Sequence, residues 1–408
     1  MKIIYKSFFI LASRVFSIIS SSIIAIILAT YLGPELRGQY AIIIAATVII
    51  FNLFCFGLKE ALIVIKRKYY KLDKYFIDSL IVILWFVISI FSSASLVIYI
   101  YFFMGESLAY HTYILIAGYI LTSVKIYFFE AKLISNGNII RFSYLSTADK
   151  FLKTTAIFIM VVLYDLKIDG ALIAIISSNL VCSILYFKYC NFPKFRFIIP
   201  SLNEISLIYK LALPYGLVIF FTNLINNFDL ILINAYHNHY KVGLYVISLR
   251  IIDLLLIFCQ SVCFTIFADT DFKNKKKNKQ LVIFKKILFR MAILYIFISI
   301  FLLVFIDELV IVFFGLHYEV SSSIVYYLLP SMIGIIIYKL IYHFISKDGP
   351  NNDFIIISFL ALILNIVLNY ILVPIYGMYG AAISKSITFL TLGFMSLFIF
   401  KNHFHNYN

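Results

Sequence analysis

Long apolar runs separated by short polar punctuation recur along the whole chain, and this rhythm leaves it few ways to fold. The runs lie at roughly 8–31, 39–63, 79–103, 111–133, 144–164, 169–190, 211–236, 243–267, 287–314, 322–346, 354–376 and 379–400, each near the length a helix needs to cross a bilayer. Backbone amides in hydrocarbon find no water, so a lone run of this length satisfies them as a helix. Twelve such spans occupy nearly all of the 408 residues. Charged residues make up only 13% of the chain, and mean hydropathy is +1.02. A soluble surface ordinarily needs about twice that charge. The sequence predicts an all-α polytopic membrane protein with no soluble domain.

The loops set the orientation. Counting Lys and Arg loop by loop places 23 on one side and only Arg37, Lys167 and Lys241 on the other. By the positive-inside rule the crowded side is cytoplasmic, and twelve spans then put both termini there. Lys2 and Lys6 precede the first run in the manner of a signal peptide, but the run is too long and has no fitting cleavage site, so an uncleaved helix is expected. The net charge of +15 does not point to nucleic acid, because the cations sit in short loops instead of along one extended face. The basic loop at 268–286 reads as a topology signal and a contact with anionic lipid.

The chain also repeats itself. Residues 13–40 end in Leu32-Gly33-Pro34, where Gly33 tolerates a left-handed cap and Pro34 cannot continue the helix, and Gly38-x-Tyr40 opens the next run. Gly243-x-Tyr245 occupies the matching place in residues 233–250. Asp169-Gly170-Ala171 likewise corresponds to Tyr379-Gly380-Ala381, at an offset of about 205 to 210 residues. Six spans followed by six more in the same sense make a parallel repeat about an axis along the membrane normal, an architecture that carries substrate between its halves. The expected divisions are an N-terminal half at 1–190, a cytoplasmic linker at 191–210 and a C-terminal half at 211–408.

Ionisable groups inside apolar helices cost a few kcal/mol each, so they normally face a bundle interior or a wet cavity. Arg14, with Ser17 and Ser21 on its face, Lys59 and Glu60 lie on the first two spans. Asn223, Asn226, Asn227 and Asp229 lie on the seventh, and Arg250 and Asp253 on the eighth. Lys125, Lys339 and Lys385 are isolated cations on the fourth, tenth and twelfth, while Lys150 and Lys153, near an inner end beside Asp149, can snorkel. The candidate substrate-binding residues are Arg14, Lys59, Lys125, Asn223, Asn227, Arg250 and Lys339; the candidate ion-coupling residues are Glu60, Asp229 and Asp253. Arg14 and Arg250 have two readings, a fixed ion pair with Glu60, Asp253 or Asp229, or contact with a substrate anion that the planar guanidinium grips bidentately. Asp229 and Asp253 suit a coupling cation or proton.

No enzymatic constellation emerges. Cys55, Cys182, Cys190, Cys259 and Cys263 lack zinc-site spacing and read as small buried hydrophobes. His237 and His239 read as an exposed polar turn without a nearby carboxylate, so no metal site is expected. There is no Gly-Lys-Ser/Thr phosphate loop, hence no ATP site, and no cofactor is expected. The short outer loops leave no room for the outer catalytic loop of a membrane polymerase or glycosyltransferase.

Three stretches carry a family resemblance: ATYLGPELRGQYAI at 29–42, LALPYGLVIFFTNLINNFDLILINAYHNHYKVGLYVISLRI at 211–251, and LNIVLNYILVPIYGMYGAAIS at 364–384. Together they resemble the Wzx-type polysaccharide flippases of the multidrug/oligosaccharidyl-lipid/polysaccharide exporter superfamily, with one departure, Tyr236-His237-Asn238-His239 in place of a Gly-rich turn. The resemblance implies an inner-membrane protein that moves undecaprenyl-pyrophosphate-linked oligosaccharide to the outer leaflet for O-antigen or capsule assembly. It implies a cationic cavity, passage by alternating access, and a polysaccharide polymerase and chain-length regulator as partners. The alternatives are a cation-coupled drug exporter or a lipid II flippase of the same superfamily, a polymerase or glycosyltransferase, and a membrane scaffold.

Overall fold

The computed structural model describes residues 2–62, 74–104, 110–135, 138–189, 202–268, 277–346, 349 and 351–405. Among these residues the regular secondary structure is helical, with short turns between helices and no strand. In chain order the helices are α1 (Lys2–Cys55), α2 (Lys74–Met104), α3 (Tyr110–Ser135), α4 (Ile139–Ile157), α5 (Lys167–Tyr189), α6 (Leu202–Tyr236), α7 (His239–Ala268), α8 (Lys277–Phe314), α9 (Glu319–Ser346), α10 (Asn352–Tyr376) and α11 (Met378–His405). Nine spans among the described residues are long and apolar enough to cross a membrane.

The breaks follow the sequence chemistry. α1 is two helical arms divided at Gly33, whose φ of 68° is a conformation glycine adopts without strain, and Pro34 starts the second arm. This is the expected punctuation between the first two spans. The second span is less regular than expected, because Phe56 (φ 26°) and Gly57 (φ 70°) interrupt it before Ala61 N–H, bonded to the Gly57 carbonyl, resumes the helix. The fifth span ends differently from a plain helix: beyond α4, Phe158–Leu163 widens to a π-helix, with Tyr164 N–H donating to the Ile159 carbonyl.

The described residues fall into two compact units. The first comprises Met1–Leu32 and Ile43–Asn223. Here α2 packs on α3, α3 on α5, and α4 on α5. Ile126, Phe129, Leu133, Leu145, Cys182 and Tyr186 form a buried cluster, with the Phe129 and Tyr186 rings stacked at 6.2 Å.

The second unit comprises Gly33–Ile42 and Leu224–Asn408. Here α8 packs on α9, α9 on α11 and α7, and α10 on α11. Taken as third-on-fourth, fourth-on-sixth and fifth-on-sixth, the neighbour scheme of the first unit recurs in the second, as a parallel repeat requires. Phe284 stacks on Phe344 at 4.1 Å beside Phe400, and Gly334 of α9 lies against the Phe389 backbone of α11. The outer face of α8 leaves Phe297, Val304 and Val312 exposed, a surface suited to lipid chains. Cys55, Cys182, Cys259 and Cys263 are buried free thiols, as expected; Cys190 lies outside the described residues.

Candidate substrate and ion-coupling residues

A deeply buried ion pair and its hydrogen bonds join three helices of the second unit. Asp229, on α6, and Lys385, on α11, have side chains 1% and 5% exposed and form an ion pair of 2.7 Å. The Tyr245 hydroxyl of α7 donates to the same carboxylate oxygen at 2.6 Å, and the Leu230 N–H donates to the other at 2.9 Å. Lys385 Nζ donates to the Asn226 carbonyl at 2.9 Å and lies 5.8 Å from the Tyr245 ring centre. Burial of charge is tolerated only when pairing and hydrogen bonds replace hydration, and every group here has such partners. Asp229 thus has Lys385 as a cation partner, which the sequence reading does not name, and the Tyr of the Gly-x-Tyr motif is part of the group.

The two Gly-x-Tyr motifs meet within this unit. A Cβ on Gly38 would overlap the His239 carbonyl, and one on Gly243 would overlap the Pro34 carbonyl. The start of the second arm of α1 and the start of α7 therefore cross backbone to backbone, at a separation only glycine permits. Arg37, one residue before Gly38, is 2% exposed, with its guanidinium 5.4 Å from the Tyr40 ring centre and near enough to Arg250 for the two charges to repel. By sequence position it is an ordinary loop cation, but in the structure it is buried.

Beyond the crossing, α7 divides into two faces. Ile252, Leu256, Cys259 and Cys263 are buried on one side, whereas Arg250, Asp253 and Gln260 are exposed and fall on one stripe at helical spacing, a stripe that is buried one turn earlier at Val246. Two of the expected site residues thus share one face. Lys339 of α9 is half-buried, and its carbonyl lies 2.8 Å from Nδ1 of His343. Asn227 is half-buried on α6. On α10 and α11, Asn369 donates to Asn365, which donates to Thr388, at 3.0 and 3.2 Å.

A polar pocket of about 430 Å³ is lined by Glu35, Asn234, His237, Asn238, His239 and Tyr240. The two histidines do have a carboxylate beside them, then, in Glu35, which sequence distance had concealed. Lys241 Nζ donates to His237 Nδ1 at 3.3 Å, and the other nitrogen, Nε2, meets the Val373 carbonyl at 3.0 Å. With both ring nitrogens engaged His237 is not free to ligate, and among the described residues no cluster of three His, Cys, Asp or Glu side chains forms a metal site.

In the first unit Lys59 pairs with Glu130 of α3 at 2.6 Å, with side chains 19% and 23% exposed. The Lys59 N–H donates to the Tyr127 hydroxyl at 3.0 Å, and its ammonium lies 5.4 Å from that ring's centre. Glu60 has one buried carboxylate oxygen without a hydrogen bond among the described residues. Lys125 rests over Trp85 and Phe129, at 5.4 and 5.9 Å from the ring centres. Asn223 Nδ2 donates to the Ile219 carbonyl of its own helix at 2.9 Å. Lys153, expected to snorkel, pairs instead with Asp149 at 2.8 Å. Arg14 is on α1, but its side chain lies outside the described residues.

Comparison with known proteins locates this arrangement. Among solved structures the chain is similar in fold to the lipid II flippase MurJ in an inward closed conformation, at 17% identity and TM-score 0.73, covering 98% of this chain and 87% of that one. It is also similar to an inward-facing multidrug resistance MATE family transporter of the MOP superfamily, at 15% identity and TM-score 0.71, covering 95% and 94%. A mutant of the Vibrio cholerae MATE transporter VcmN gives 15% identity and TM-score 0.70, covering 98% and 97%. No curated protein matches the chain. The family described as polysaccharide biosynthesis protein matches residues 3–268, about two thirds of the sequence, and the chain belongs to that family.

Proposed function

We propose that this protein is a flippase that carries undecaprenyl-pyrophosphate-linked oligosaccharide from the cytoplasmic to the periplasmic leaflet of a bacterial inner membrane, for O-antigen or capsule assembly. The observation that carries the reading is the exposed Arg250-Asp253-Gln260 stripe on α7, between buried apolar residues. A guanidinium on a helix of a membrane protein is tolerated against water or an anion and costly against lipid. Family membership in polysaccharide biosynthesis supports a glycan cargo, and likeness in fold to transporters supports carriage over synthesis.

In this reading the lipid tail stays in the bilayer while sugars and pyrophosphate cross a cationic cavity by alternating access, with the halves at 1–190 and 211–408 as the moving bodies and both termini cytoplasmic. Arg250 and Arg14 hold pyrophosphate or acidic sugars through the bidentate geometry suited to such oxygens. Lys59, Lys125, Lys339, Asn223 and Asn227 supply further cationic and hydrogen-bonding contacts. Lys59 is held by Glu130 until an anion competes for it. Glu60, Asp229 and Asp253 carry ion coupling, and a polymerase and chain-length regulator receive the cargo.

The test is surface-polysaccharide export in a strain deleted for the gene, with lipid-linked oligosaccharide analysed on each leaflet. Complete repeat units accumulate on the inner leaflet and are cleared by wild type, but not by Arg14→Ala or Arg250→Ala at equal protein levels. Units that reach the outer leaflet unpolymerised would point to a polymerase. An unchanged lipid pool with altered drug sensitivity would point to a drug exporter, and full export by both variants would refute the anion contact.

A further inference from the structure

The surroundings of the Lys385 ammonium are those of a bound cation. Nζ touches a carboxylate oxygen of Asp229 at 2.7 Å and the main-chain carbonyl of Asn226 at 2.9 Å, under the face of the Tyr245 ring. A carboxylate, a peptide carbonyl and an aromatic face are what a dehydrated monovalent cation seeks, since hard cations take oxygen ligands and any cation is drawn to a ring quadrupole. Three helices contribute to this nest: Asn226 and Asp229 from α6, Tyr245 from α7 and the ammonium itself from α11. Lys385 is 4% exposed, so its charge is fully committed to the nest.

The carboxylate is filled as well. Asp229 Oδ2 receives both Lys385 and the Tyr245 hydroxyl, and Oδ1 receives the Leu230 N–H. A metal ion approaching either oxygen would have to displace one of these donors from a site shielded from water. The group does not fit a coupling metal cation alongside Lys385.

We infer that the Lys385 ammonium is a tethered cation standing where a sodium or potassium ion would otherwise bind, so that the second unit closes its buried carboxylate without an ion from solution. Removing the tether exposes a latent monovalent-cation site made of Asp229, the Asn226 carbonyl and Tyr245. The inference rests on the transport reading only for its consequence, that any coupling through Asp229 uses no metal ion; the site itself is assigned from geometry alone.

The experiment reads binding and not export, so its outcome is separate from that of the flippase proposal. Purified full-length wild type, Lys385→Ala and the double variant Asp229→Asn/Lys385→Ala are melted in sodium, potassium or choline chloride at matched ionic strength, from about 5 to 500 mM. A thiol-reactive dye follows unfolding, since Cys55, Cys182, Cys259 and Cys263 are all buried. Wild type melts at one temperature in all three salts. Lys385→Ala melts lower in choline, and its melting temperature climbs steadily with the logarithm of sodium or potassium concentration, as linkage requires for a ligand of the folded state. The double variant loses that climb. If Lys385→Ala does not fold, Lys385→Gln, whose carbonyl can join a cation's shell, takes its place. Sodium or potassium stabilisation of wild type that a separate Asp229→Asn variant abolishes would overturn the inference, as would a Lys385→Ala protein that responds alike to all three salts.

Discussion

Gly38 and Gly243 offer a quantitative test of the crossing between α1 and α7. In Gly38→Ala the new methyl overlaps the His239 carbonyl, and in Gly243→Ala it overlaps the Pro34 carbonyl; neither obstacle is a side chain that can rotate away. Restoring van der Waals contact at roughly 3.5 Å requires the two backbones to separate by about 1 Å or more. Overpacking of this kind costs about 1–3 kcal/mol. The upper end applies here, because the separation also strains the burial of Arg37 and the neighbouring Tyr245 contact to Asp229. For a unit of this size that is a fall of roughly 4–10 °C in melting temperature.

The double variant is more informative than either single. One opening of the crossing accommodates both methyl groups, because Gly38 also faces the Gly243 N–H nitrogen at the same contact. Gly38→Ala/Gly243→Ala should cost little more than the worse single, a coupling of about 2 kcal/mol in favour of the pair. Dye-monitored melting of the four proteins measures the cycle. Singles within about 0.5 kcal/mol of wild type, the range of ordinary surface changes, would refute the close approach. Strictly additive losses would refute a shared crossing.

Other perturbations separate the remaining groups. Lys385→Met leaves Asp229 buried without its cation and should cost about 3–5 kcal/mol, while Asp229→Asn/Lys385→Met recovers much of the loss; melting in choline chloride, which supplies no small cation, checks both. Lys59 and Glu130 are partly exposed, so a Lys59→Met and Glu130→Gln cycle should give a coupling near 1 kcal/mol that shrinks between low and high salt, whereas the Asp229 and Lys385 coupling should not respond. Burial pushes the His239 imidazole below its ordinary range, against the opposing pull of Glu35. The unfolded chain then binds a proton more readily than the folded one, so stability is full above about pH 6.5 and declines below it. His239→Gln should flatten the melting temperature between pH 7 and pH 5; an unchanged slope would remove His239 as its source.

What the sequence conveys well is whatever depends on neighbours along the chain. Span positions follow from apolar length, and the break at Gly33-Pro34 from two residues whose backbone limits are local. The repeat is legible from Gly38-x-Tyr40 and Gly243-x-Tyr245, but its reason is not, since the glycines matter for what lies against them some 200 residues away. Pairing fails for the same cause. Lys59 and Glu130 are 71 residues apart and Asp229 and Lys385 are 156 apart, and a charge on an apolar helix announces that it needs a partner without naming it. The interruption at Phe56-Gly57 and the π segment at Phe158–Leu163 were hidden for a different reason, because apolar composition is indifferent to a local change in helical winding.

The two halves share a packing plan but divide the charges unequally, and the inequality bears on mechanism. Each unit repeats the same helix neighbours, so duplication preserved what burial of apolar faces demands. The ion pairs did not follow that symmetry: Lys59 and Glu130 join the second and fourth spans, whereas Asp229 and Lys385 join the seventh and twelfth. The first pair keeps about a fifth of each side chain accessible, and an arriving anion can compete for its lysine without first paying to desolvate a buried site. The second is closed on every side by Tyr245, Leu230 and Asn226, and opening it uncovers two charges at once. An accessible pair exchanges partners readily, whereas a closed one opens only when its other donors are displaced. Under the proposed flippase reading, Lys59 is then the cation that an anionic cargo reaches at least cost, and the Asp229 and Lys385 pair is the one that it leaves closed.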